Sequence, residues 1–449
     1  MQSDNSHARL IPMMTLIQQL NRSLKWNAIE GILYKAILVL HQSYLFYYIS
    51  SQLYGLSSLF FAMIYLMVEL FNFGFDKSLA QLFSDYFEQP INAHKYLKPQ
   101  VWFQIGLLGL IWVAIILGAN QIESFLIHKF QIEPQTIFFW ILISTTIFFE
   151  SIRKTLRMLA QLCFLNRSAA LLELGLISLY VLIFWSRVWS GSTVTLTEIY
   201  LPLLLQSVLG VTVLGHLVWQ TLRPTLQPRP ASVFDRINLN FGWKLILQTR
   251  LSNYCYQFSE AFFSSNLLVY FFSFKLGLAK VAPLKLANYF AIFLKALLEK
   301  TFGFSTLALF AQVKHTRHAQ FTLFREGQGQ LNLFLKILTI IFLSLGAYLL
   351  VYDLAPKFGL AWLFFGFTLI NSFFIIYEQL FIIHRRLWLI TSLNLLVILI
   401  CWGLIKILGY QAADAYHQIL FGLCLLIGLR LTSFNLLRQV MQRVFQQAT

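Results

Sequence analysis

Positive charge in this chain is concentrated in every second gap between its hydrophobic stretches. Twelve long apolar stretches can be delimited. When Lys and Arg toward the end of a stretch are assigned to the neighbouring gap, 25 of the 34 lie in the terminal segments or in the even-numbered gaps, and the odd-numbered gaps hold only seven. Because membrane insertion keeps Lys and Arg on the cytoplasmic side, the alternation predicts a polytopic membrane protein with both termini in the cytoplasm.

The composition supports a membrane protein and argues against other classes. Hydrophobic residues make up 58% of the 449 residues and charged residues 12%, about half the charged fraction of an ordinary soluble domain. The net charge of +16 is spread over many short loops, which indicates insertion topology and attraction to membrane lipids rather than binding to nucleic acid. The four cysteines have no metal-ligand spacing, so neither a metal site nor a cofactor is expected.

Each apolar stretch is long enough to cross about 30 Å of hydrocarbon as a helix that rises about 1.5 Å per residue. The predicted spans cover residues 29–51, 56–75, 101–118, 137–158, 169–189, 199–221, 245–275, 286–310, 331–352, 360–383, 387–408 and 416–434.

The expected fold is all-α, with about 12 transmembrane helices in two six-helix lobes; the resemblance described below implies that the lobes surround a central cavity. Three prolines within residues 223–241 cannot continue a helix, and they predict a cytoplasmic linker between lobes at 29–222 and 242–436. An interfacial segment at 1–28 and a cytoplasmic tail at 437–449 complete the chain. Six spans in each half give both halves the same orientation.

No catalytic constellation is visible in the sequence. It contains no Gly-x-x-x-x-Gly-Lys-Ser/Thr phosphate loop, no His-Glu-x-x-His motif and no Gly-x-Ser-x-Gly motif. The longest predicted external loop, at about 119–136, is too short for a soluble catalytic domain. The chain is therefore not expected to be an enzyme, and a membrane-embedded glycan polymerase or ligase is kept as an alternative.

Two short motifs flank the second span. Residues 54–57 are Tyr-Gly-Leu-Ser at the first turn, and residues 74–79 are Gly-Phe-Asp-Lys-Ser-Leu at the end of the span. Together with the two-by-six layout, they resemble the beginning of polysaccharide and O-antigen flippases of the multidrug/oligosaccharidyl-lipid/polysaccharide exporter superfamily. Residues 286–289 in the second half echo the family pattern only loosely.

The resemblance implies a function, a location and partners. It implies a flippase that moves a polyprenyl-diphosphate-linked oligosaccharide to the outer leaflet of the bacterial inner membrane, by rocking two lobes around a cavity. The implied partners are this anionic lipid-linked glycan, membrane lipids and enzymes of polysaccharide assembly. A cation-coupled drug or metabolite antiporter of the same superfamily is the alternative. An acidic, aromatic cavity favours the antiporter, whereas a cavity lined by Lys and Arg favours the flippase.

Ionisable residues inside the spans are candidates for the functional site, because a charge at membrane depth costs several kcal/mol unless it has a partner. Residues equidistant from a turn lie at similar depth. This rule predicts two structural ion pairs, Lys35 with Glu69 and Lys336 with Glu378. A third pair is predicted between Asp76 and Lys77, which are adjacent at the end of the second span. Snorkelling to the lipid headgroups is the competing interpretation for the two lysines inside spans.

The other candidates divide by chemistry. Groups suited to binding a coupling cation or proton are Glu260, Glu69 and His41. Basic groups suited to binding a diphosphate are Lys35, Arg250, Lys244, Lys295 and Lys300. Glu260 has the same predicted depth as Lys295, Glu299 and Lys300, which predicts that these residues face one another.

Overall fold

A computed structural model of the chain describes residues 13–83, 86, 93–130, 134–191, 193–226, 242–263, 291, 293–313, 316–352, 355–407 and 415–446. Within these residues the structure consists of fifteen α-helices joined by turns, and it contains no β-strand. The helices are α1 (Met13–Tyr48), α2 (Ser51–Phe71), α3 (Phe75–Gln81), α4 (Lys98–Leu117), α5 (Ala119–Phe130), α6 (Ile137–Leu162), α7 (Asn166–Trp189), α8 (Leu196–Leu226), α9 (Trp243–Ala261), α10 (Ser305–Gln312), α11 (Arg317–Val351), α12 (Ala355–Ser372), α13 (Ile375–Ile383), α14 (Leu387–Ile407) and α15 (Ala415–Gln446). Short π-helical turns lead into α4 (Ala93–Leu97) and α10 (Glu299–Phe304).

Long apolar helices make up much of the described chain. Six of them, α2, α4, α7, α8, α11 and α14, are long and apolar enough to cross a membrane. The bent pair α12–α13, whose axes differ by 41°, would make a seventh. Helix α6 is not among these, and it carries Glu150, Arg153 and Lys154. The predicted all-α polytopic fold is confirmed, and the seventh and eighth predicted spans lie partly outside the described residues.

Three segments differ from the prediction. Helix α1 runs without a break from Met13, inside the predicted interfacial segment, into the first predicted span, and its Leu20 and Leu24 are buried in the protein core. Helix α8 continues to Leu226, past the start of the predicted linker, and residues 227–241 lie outside the described residues. Most of the predicted external loop forms α5, whose Leu126 packs into the N-terminal core.

A repeated helix end relates the two halves of the chain. Helix α6 is followed by Phe164 with a φ of 57°, and α13 is followed by Arg385 with a φ of 56°. Each left-handed residue belongs to a Schellman turn, which satisfies the last carbonyl groups of a helix. The equivalent hydrogen bonds run from the amide of Leu165 to the carbonyl of Ala160 (2.8 Å) and from the amide of Arg386 to the carbonyl of Phe381 (2.9 Å). The fourth and tenth spans therefore end alike, as expected for two lobes with one orientation.

Among the described residues, the two lobes share a hydrophobic core at one face. Helices α1–α8 form the N-lobe, and helices α9–α15 form the C-lobe. Where α1 begins and α15 ends, one core contains residues of both lobes, including Leu24, Leu309 and Leu437. Toward the other face, the described N-lobe core around Trp140 is separate from a described C-lobe cluster around Phe263. We call the side where α1 begins and α15 ends the terminal face, and the lobes are joined there.

The backbones of the two lobes touch where α2 ends. Phe73 and Gly74 have φ values of 53° and 69°, which breaks the second span before α3 begins. The amide of Gly74 donates to Gln257 Oε1 of α9 at 3.1 Å. A Cβ atom on Gly74 would lie 2.5 Å from the carbonyl oxygen of Arg250. Only glycine fits this left-handed position and the close approach of the C-lobe.

We expect the substitution Gly74→Ala to destabilise the joined terminal face. The new methyl group meets backbone atoms of α9, and the left-handed conformation adds a cost, together about 2 kcal/mol or more. Thermal unfolding of the purified protein in detergent measures the effect. Gly109→Ala is the matched control, because nothing lies within 4 Å of a Cβ atom there. Equal unfolding midpoints for the two variants would contradict this account of the crossing.

Candidate functional site between the lobes

A chain of ion pairs runs through the interior of the N-lobe. Arg153 binds Glu150 at 2.8 Å and Glu173 at 3.0 Å. Arg157 lies 3.5 Å from Glu173 and donates to both carboxylate oxygens of Glu30. Helical spacing accounts for part of this arrangement, since residues 150, 153 and 157 share one face of α6. We call these five residues the N-lobe cluster.

Lys300 joins the N-lobe cluster from the C-lobe. Its ammonium group lies 2.9 Å from Glu30 Oε1 and 4.8 Å from the centroid of the Tyr34 ring. Glu30 is only 1% exposed, so its charge is compensated inside the protein by Lys300 and Arg157 together. The sequence grouped Lys300 with Glu260 as a residue of one site, but the structure gives it a partner across the lobe boundary.

A second group of charges links α2, α3 and α6. Lys154 binds Glu69 at 2.6 Å and lies 3.7 Å from Asp76, which also accepts a 2.8 Å hydrogen bond from the hydroxyl of Thr155. The predicted pairing of Glu69 with Lys35 is therefore wrong. Lys35 is half-buried, and its ammonium group lies 5.6 Å from the centroid of the Tyr34 ring. Similar depth did not make it a partner, because Lys154 approaches Glu69 from another helix.

Lys77 and Glu378 form an ion pair between the lobes. The ammonium group of Lys77 lies 3.0 Å from Glu378 Oε1 and 4.0 Å from the centroid of the Tyr256 ring. Two predictions are corrected by this pair. Asp76 faces α6 and does not bind Lys77, although the two residues are adjacent. Lys336 is exposed on α11 and does not bind Glu378.

Within the part of the chain that the structure describes, charged residues of both lobes remain partly accessible near the boundary between the lobes. Glu69 has 50% of its side chain exposed and Glu299 has 46%, whereas Lys295, which binds Glu299 at 3.4 Å, has 35%. Lys295, Glu299 and Glu378 line one cavity, and Lys77 binds Glu378 at 3.0 Å. We call Glu69, Lys77, Lys295, Glu299 and Glu378 the central charged set. It contains three acids and two bases, so it is neither a purely basic nor a purely acidic surface.

Glu260 lies beside the central charged set in a small cavity of the C-lobe. Its carboxylate binds Arg430 at 2.5 Å and accepts a 2.7 Å hydrogen bond from Asn394. The cavity has a volume of about 30 Å³, and Lys295 and Glu299 also line it. Glu260, Lys295 and Glu299, which the sequence places at similar depth, thus line one cavity. A space of this size holds a water molecule or a small cation, and it is too small for an organic solute.

Arg250 is buried at the seam between α4 and α9. Its guanidinium group donates to Gln104 Oε1 at 2.5 Å and to the carbonyl oxygen of Phe73 at 3.5 Å. Among the described residues, no carboxylate comes within 4 Å of it. Lys244, the neighbouring candidate, is exposed near the start of α9. The two basic candidates of this helix therefore differ in their surroundings.

His41 belongs to the N-lobe core and not to the space between the lobes. Its Nδ1 atom accepts a hydrogen bond from Trp185 at 3.2 Å, and Nε2 lies 3.2 Å from the hydroxyl of Tyr180. The ring of Phe184 packs edge-on against it at 5.1 Å. With only 2% of its surface exposed, His41 has the environment of a packing residue, which argues against the predicted role in ion coupling.

Sequence analysis missed the most buried part of the network. Arg153, Lys154 and Arg157 lie toward the end of the fourth predicted span and Arg430 toward the end of the twelfth, where the alternation of charge accounts for them as cytoplasmic topology charges. A usable signal was present, because Glu150, Arg153 and Arg157 recur at helical spacing within one apolar stretch. Acids inside predicted spans were a second signal. Their presence predicts bases at the same depth.

We expect charge reversal at Lys77 or Glu378 to weaken the closed terminal face, and the double reversal to restore it. Lys77→Glu or Glu378→Lys alone places like charges together, at a cost of about 1–3 kcal/mol for this partly exposed pair. Thermal unfolding in detergent of both single variants and of the double variant measures the coupling. The double variant Lys336→Glu with Glu378→Lys is the control and should show no recovery. If the unfolding midpoint recovers only in the control variant, the result supports the pairing of Lys336 with Glu378 that we reject.

Comparison with known proteins identifies the fold. No protein-family model matches the chain, and no curated protein matches it by sequence. Among solved structures, the eukaryotic MATE transporter AtDTX14 matches with a TM-score of 0.68 and 13% identity over 96% of this chain and 99% of that one. The MATE transporter VcmN of Vibrio cholerae matches with a TM-score of 0.63 and 10% identity over 97% of each chain. A multidrug resistance MATE transporter of the MOP superfamily, in an outward-facing conformation, matches with a TM-score of 0.63 and 11% identity over 97% and 99%. The chain therefore has the fold of the MATE transporters.

Proposed function

We propose that this chain is a secondary transporter that exports an organic solute in exchange for a cation, by alternating access between its lobes. The central charged set carries the proposal, because the carboxylates of Glu69 and Glu299 stay accessible at membrane depth. Glu69 pairs with Lys154 and Glu299 with Lys295, and the exposed part of each acid lets a proton, a metal cation or a cationic solute compete with the lysine. The MATE fold supports the same proposal, since one of the similar structures is that of a multidrug resistance transporter.

The charge inventory favours this function over the lipid flippase that the sequence resembles. A diphosphate requires basic groups that are free to bind it. Most bases that the structure describes at membrane depth already have carboxylate partners: Lys77, Arg153, Lys154, Arg157, Lys295, Lys300 and Arg430. A diphosphate would have to displace these carboxylates. A cationic solute would compete with Lys154 for Glu69 and with Lys295 for Glu299, two acids whose side chains are 50% and 46% exposed.

Glu260 is the carboxylate that we assign to cation coupling. It is 25% exposed, it lies in a cavity of about 30 Å³, and Asn394 and Arg430 hold its position. The cavity is large enough for a water molecule that carries a proton or for a small cation, and it is too small for the organic solute. Since Lys295 and Glu299 line both this cavity and the space between the lobes, binding at Glu260 changes the field at the solute site.

Replacement of Glu260 by Gln tests the proposal. In proteoliposomes that hold the purified full-length chain, a proton or sodium gradient should drive uptake of a cationic dye. We expect Glu260→Gln to lower gradient-driven uptake about tenfold or more, because the neutral amide cannot exchange a charge with the cation.

The control for this experiment is Glu326→Gln. Glu326 is exposed near the start of α11, where its carboxylate accepts a hydrogen bond from Gln330, and its loss should leave uptake unchanged. If Glu260→Gln transports the dye as fast as the unmodified chain, Glu260 has no role in coupling. If no gradient drives uptake in the unmodified chain, the antiporter proposal itself fails.

The seam at Arg250 supports a second candidate function, the flipping of a lipid-linked oligosaccharide in the bacterial inner membrane. Arg250 is 7% exposed and has no carboxylate within 4 Å among the described residues. The seam faces the apolar phase, because Trp102 and Phe103 of α4 and Leu247 and Leu251 of α9 are each more than 60% exposed. A lipid tail in the bilayer and a diphosphate at Arg250 would fit this arrangement.

Arg250→Gln distinguishes the two functions. If the chain flips a polyprenyl-diphosphate-linked oligosaccharide, the variant should slow flipping in proteoliposomes about tenfold, because Gln cannot bind a phosphate in a bidentate way. Dye export should change little. The control is Arg386→Gln, at an exposed position on the terminal face. An absence of lipid flipping by the unmodified chain would exclude the second candidate.

A further inference from the structure

Helix α4 of the N-lobe and helix α9 of the C-lobe run side by side from the terminal face. The ring of Tyr96, which precedes α4, lies 5.5 Å from the ring of Trp243 at the start of α9, measured between centroids. Two turns further along both helices, Arg250 donates to Gln104 at 2.5 Å. Tyr96 belongs to the core that both lobes share. The two helices are therefore parallel neighbours, and the seam between them lies on the boundary of the lobes.

The charge of Arg250 has no anionic partner among the described residues. Its guanidinium group donates to Gln104 Oε1 and to the carbonyl oxygen of Phe73. The centroids of the Phe75 and Phe103 rings lie 5.0 and 5.6 Å from Cζ of Arg250. All four groups are neutral and belong to the N-lobe, and Arg250 is buried. Since a buried cation at membrane depth is costly without an anion, the seam needs a counter-ion that the described chain does not supply.

The guanidinium group of Arg250 lies near the level of the lipid headgroups. Phe73, whose carbonyl oxygen accepts one of its hydrogen bonds, comes shortly after α2 ends on the side of the terminal face. Trp102 on α4 and Trp243 on α9 are exposed, and exposed tryptophan is typical of the interface between headgroups and hydrocarbon. A counter-ion for Arg250 can therefore come from the membrane itself.

Two lysines add positive charge at the terminal end of the seam. Lys98 is the first residue of α4 and Lys244 is the second residue of α9, so each lobe contributes one. Both side chains are exposed, and no carboxylate of the described residues comes within 4 Å of either. The positive ends of both helix dipoles lie there as well. Together with Arg250, these lysines form a basic site whose members come from both lobes.

Apolar surface extends from the basic site into the membrane. Phe103 of α4 and Leu247 and Leu251 of α9 flank Arg250, and all three are exposed. A ligand that fits both parts of the seam carries negative charge at one end and hydrocarbon at the other. Among the components of a bilayer, an anionic glycerophospholipid has this structure. A zwitterionic phospholipid lacks the net charge, and a free phosphate ion lacks the hydrocarbon.

We infer that an anionic glycerophospholipid of the leaflet at the terminal face binds at the seam between α4 and α9. Its phosphate accepts hydrogen bonds from Arg250 and is attracted by Lys98 and Lys244, and one acyl chain covers the apolar side chains of the seam. Because the positive charges come from both lobes, the bound lipid links the lobes along their boundary. This lipid is a resident ligand and is not transported, so the inference goes beyond the proposed function and does not depend on it.

Lipid binding to the purified full-length chain in detergent tests the inference. Dioleoyl phosphatidylglycerol is the anionic probe, and dioleoyl phosphatidylcholine is the zwitterionic probe with the same acyl chains. Native mass spectrometry gives the number and affinity of bound lipids, and thermal unfolding gives the stabilisation. We expect one phosphatidylglycerol molecule to bind about tenfold or more tightly than phosphatidylcholine and to raise the unfolding midpoint, because the basic site attracts its net charge.

Substitutions at the seam locate the bound lipid. The double variant Lys98→Gln with Lys244→Gln should bind phosphatidylglycerol about tenfold more weakly, and both positions are exposed, so the variant should fold. Lys25→Gln with Lys336→Gln is the matched control, because it removes two exposed lysines from α1 and α11, away from the seam. Arg250→Gln should also weaken binding, whereas Arg250→Lys keeps the charge and should retain the preference for the anionic lipid.

Equal affinity of the unmodified chain for the two probes overturns the inference, and so does an equal loss of binding in the seam variant and in the control. A polyprenyl diphosphate that displaces phosphatidylglycerol and depends on the same residues also overturns it, because the seam then belongs to a transported lipid. The proposed antiporter is tested separately by dye uptake. A chain that binds phosphatidylglycerol at the seam and transports no dye keeps this lipid site and lacks the proposed function.

Discussion

Compensation of charge in a medium of low dielectric constant is the constraint on which the rest of this structure depends. Water at the surface solvates a lone Lys or Glu, but within the membrane each ion needs a partner in the protein. The described structure meets this need with ion pairs whose members come from different helices, as in Glu30 with Arg157 or Glu69 with Lys154. The pairs therefore determine which helices are neighbours as well as which charges are tolerated.

Two of these pairs, Lys77–Glu378 and Lys300–Glu30, cross from one lobe to the other. They lie in the part of the molecule where both lobes share a hydrophobic core, and toward the opposite face the cores of the described residues are separate. Under the proposed alternating access, a rocking motion of the lobes would break these pairs together with that core. Each broken pair would expose a charge that a cation, a proton or a solute can compensate, so the contacts that hold one conformation would also link it to ligand binding.

The rule that residues equidistant from a turn lie at similar depth predicted some contacts and failed for others. The reason is geometrical. Equal distance from a turn determines how deep a residue lies in the membrane, but not the direction in which its side chain leaves the helix. Glu260, Lys295 and Glu299 share both depth and direction, and they line one cavity. Glu378 and Lys336 share only depth, and Glu378 binds Lys77, which is 301 positions away in the sequence. No local rule brings those two residues together.

The sequence by itself determined the class of the protein, the long apolar helices and the orientation expected for its ends, because hydrophobic length and the distribution of Lys and Arg follow from insertion into a bilayer. The sequence did not distinguish Lys and Arg in solvated cytoplasmic segments from Lys and Arg in buried ion pairs. Arg153 and Arg157 lie near a predicted cytoplasmic span end, so both interpretations fit their positions. The tertiary structure alone decided which acid each base meets and where the lobes join. Those outcomes depend on helix packing between distant segments, and insertion places no constraint on it.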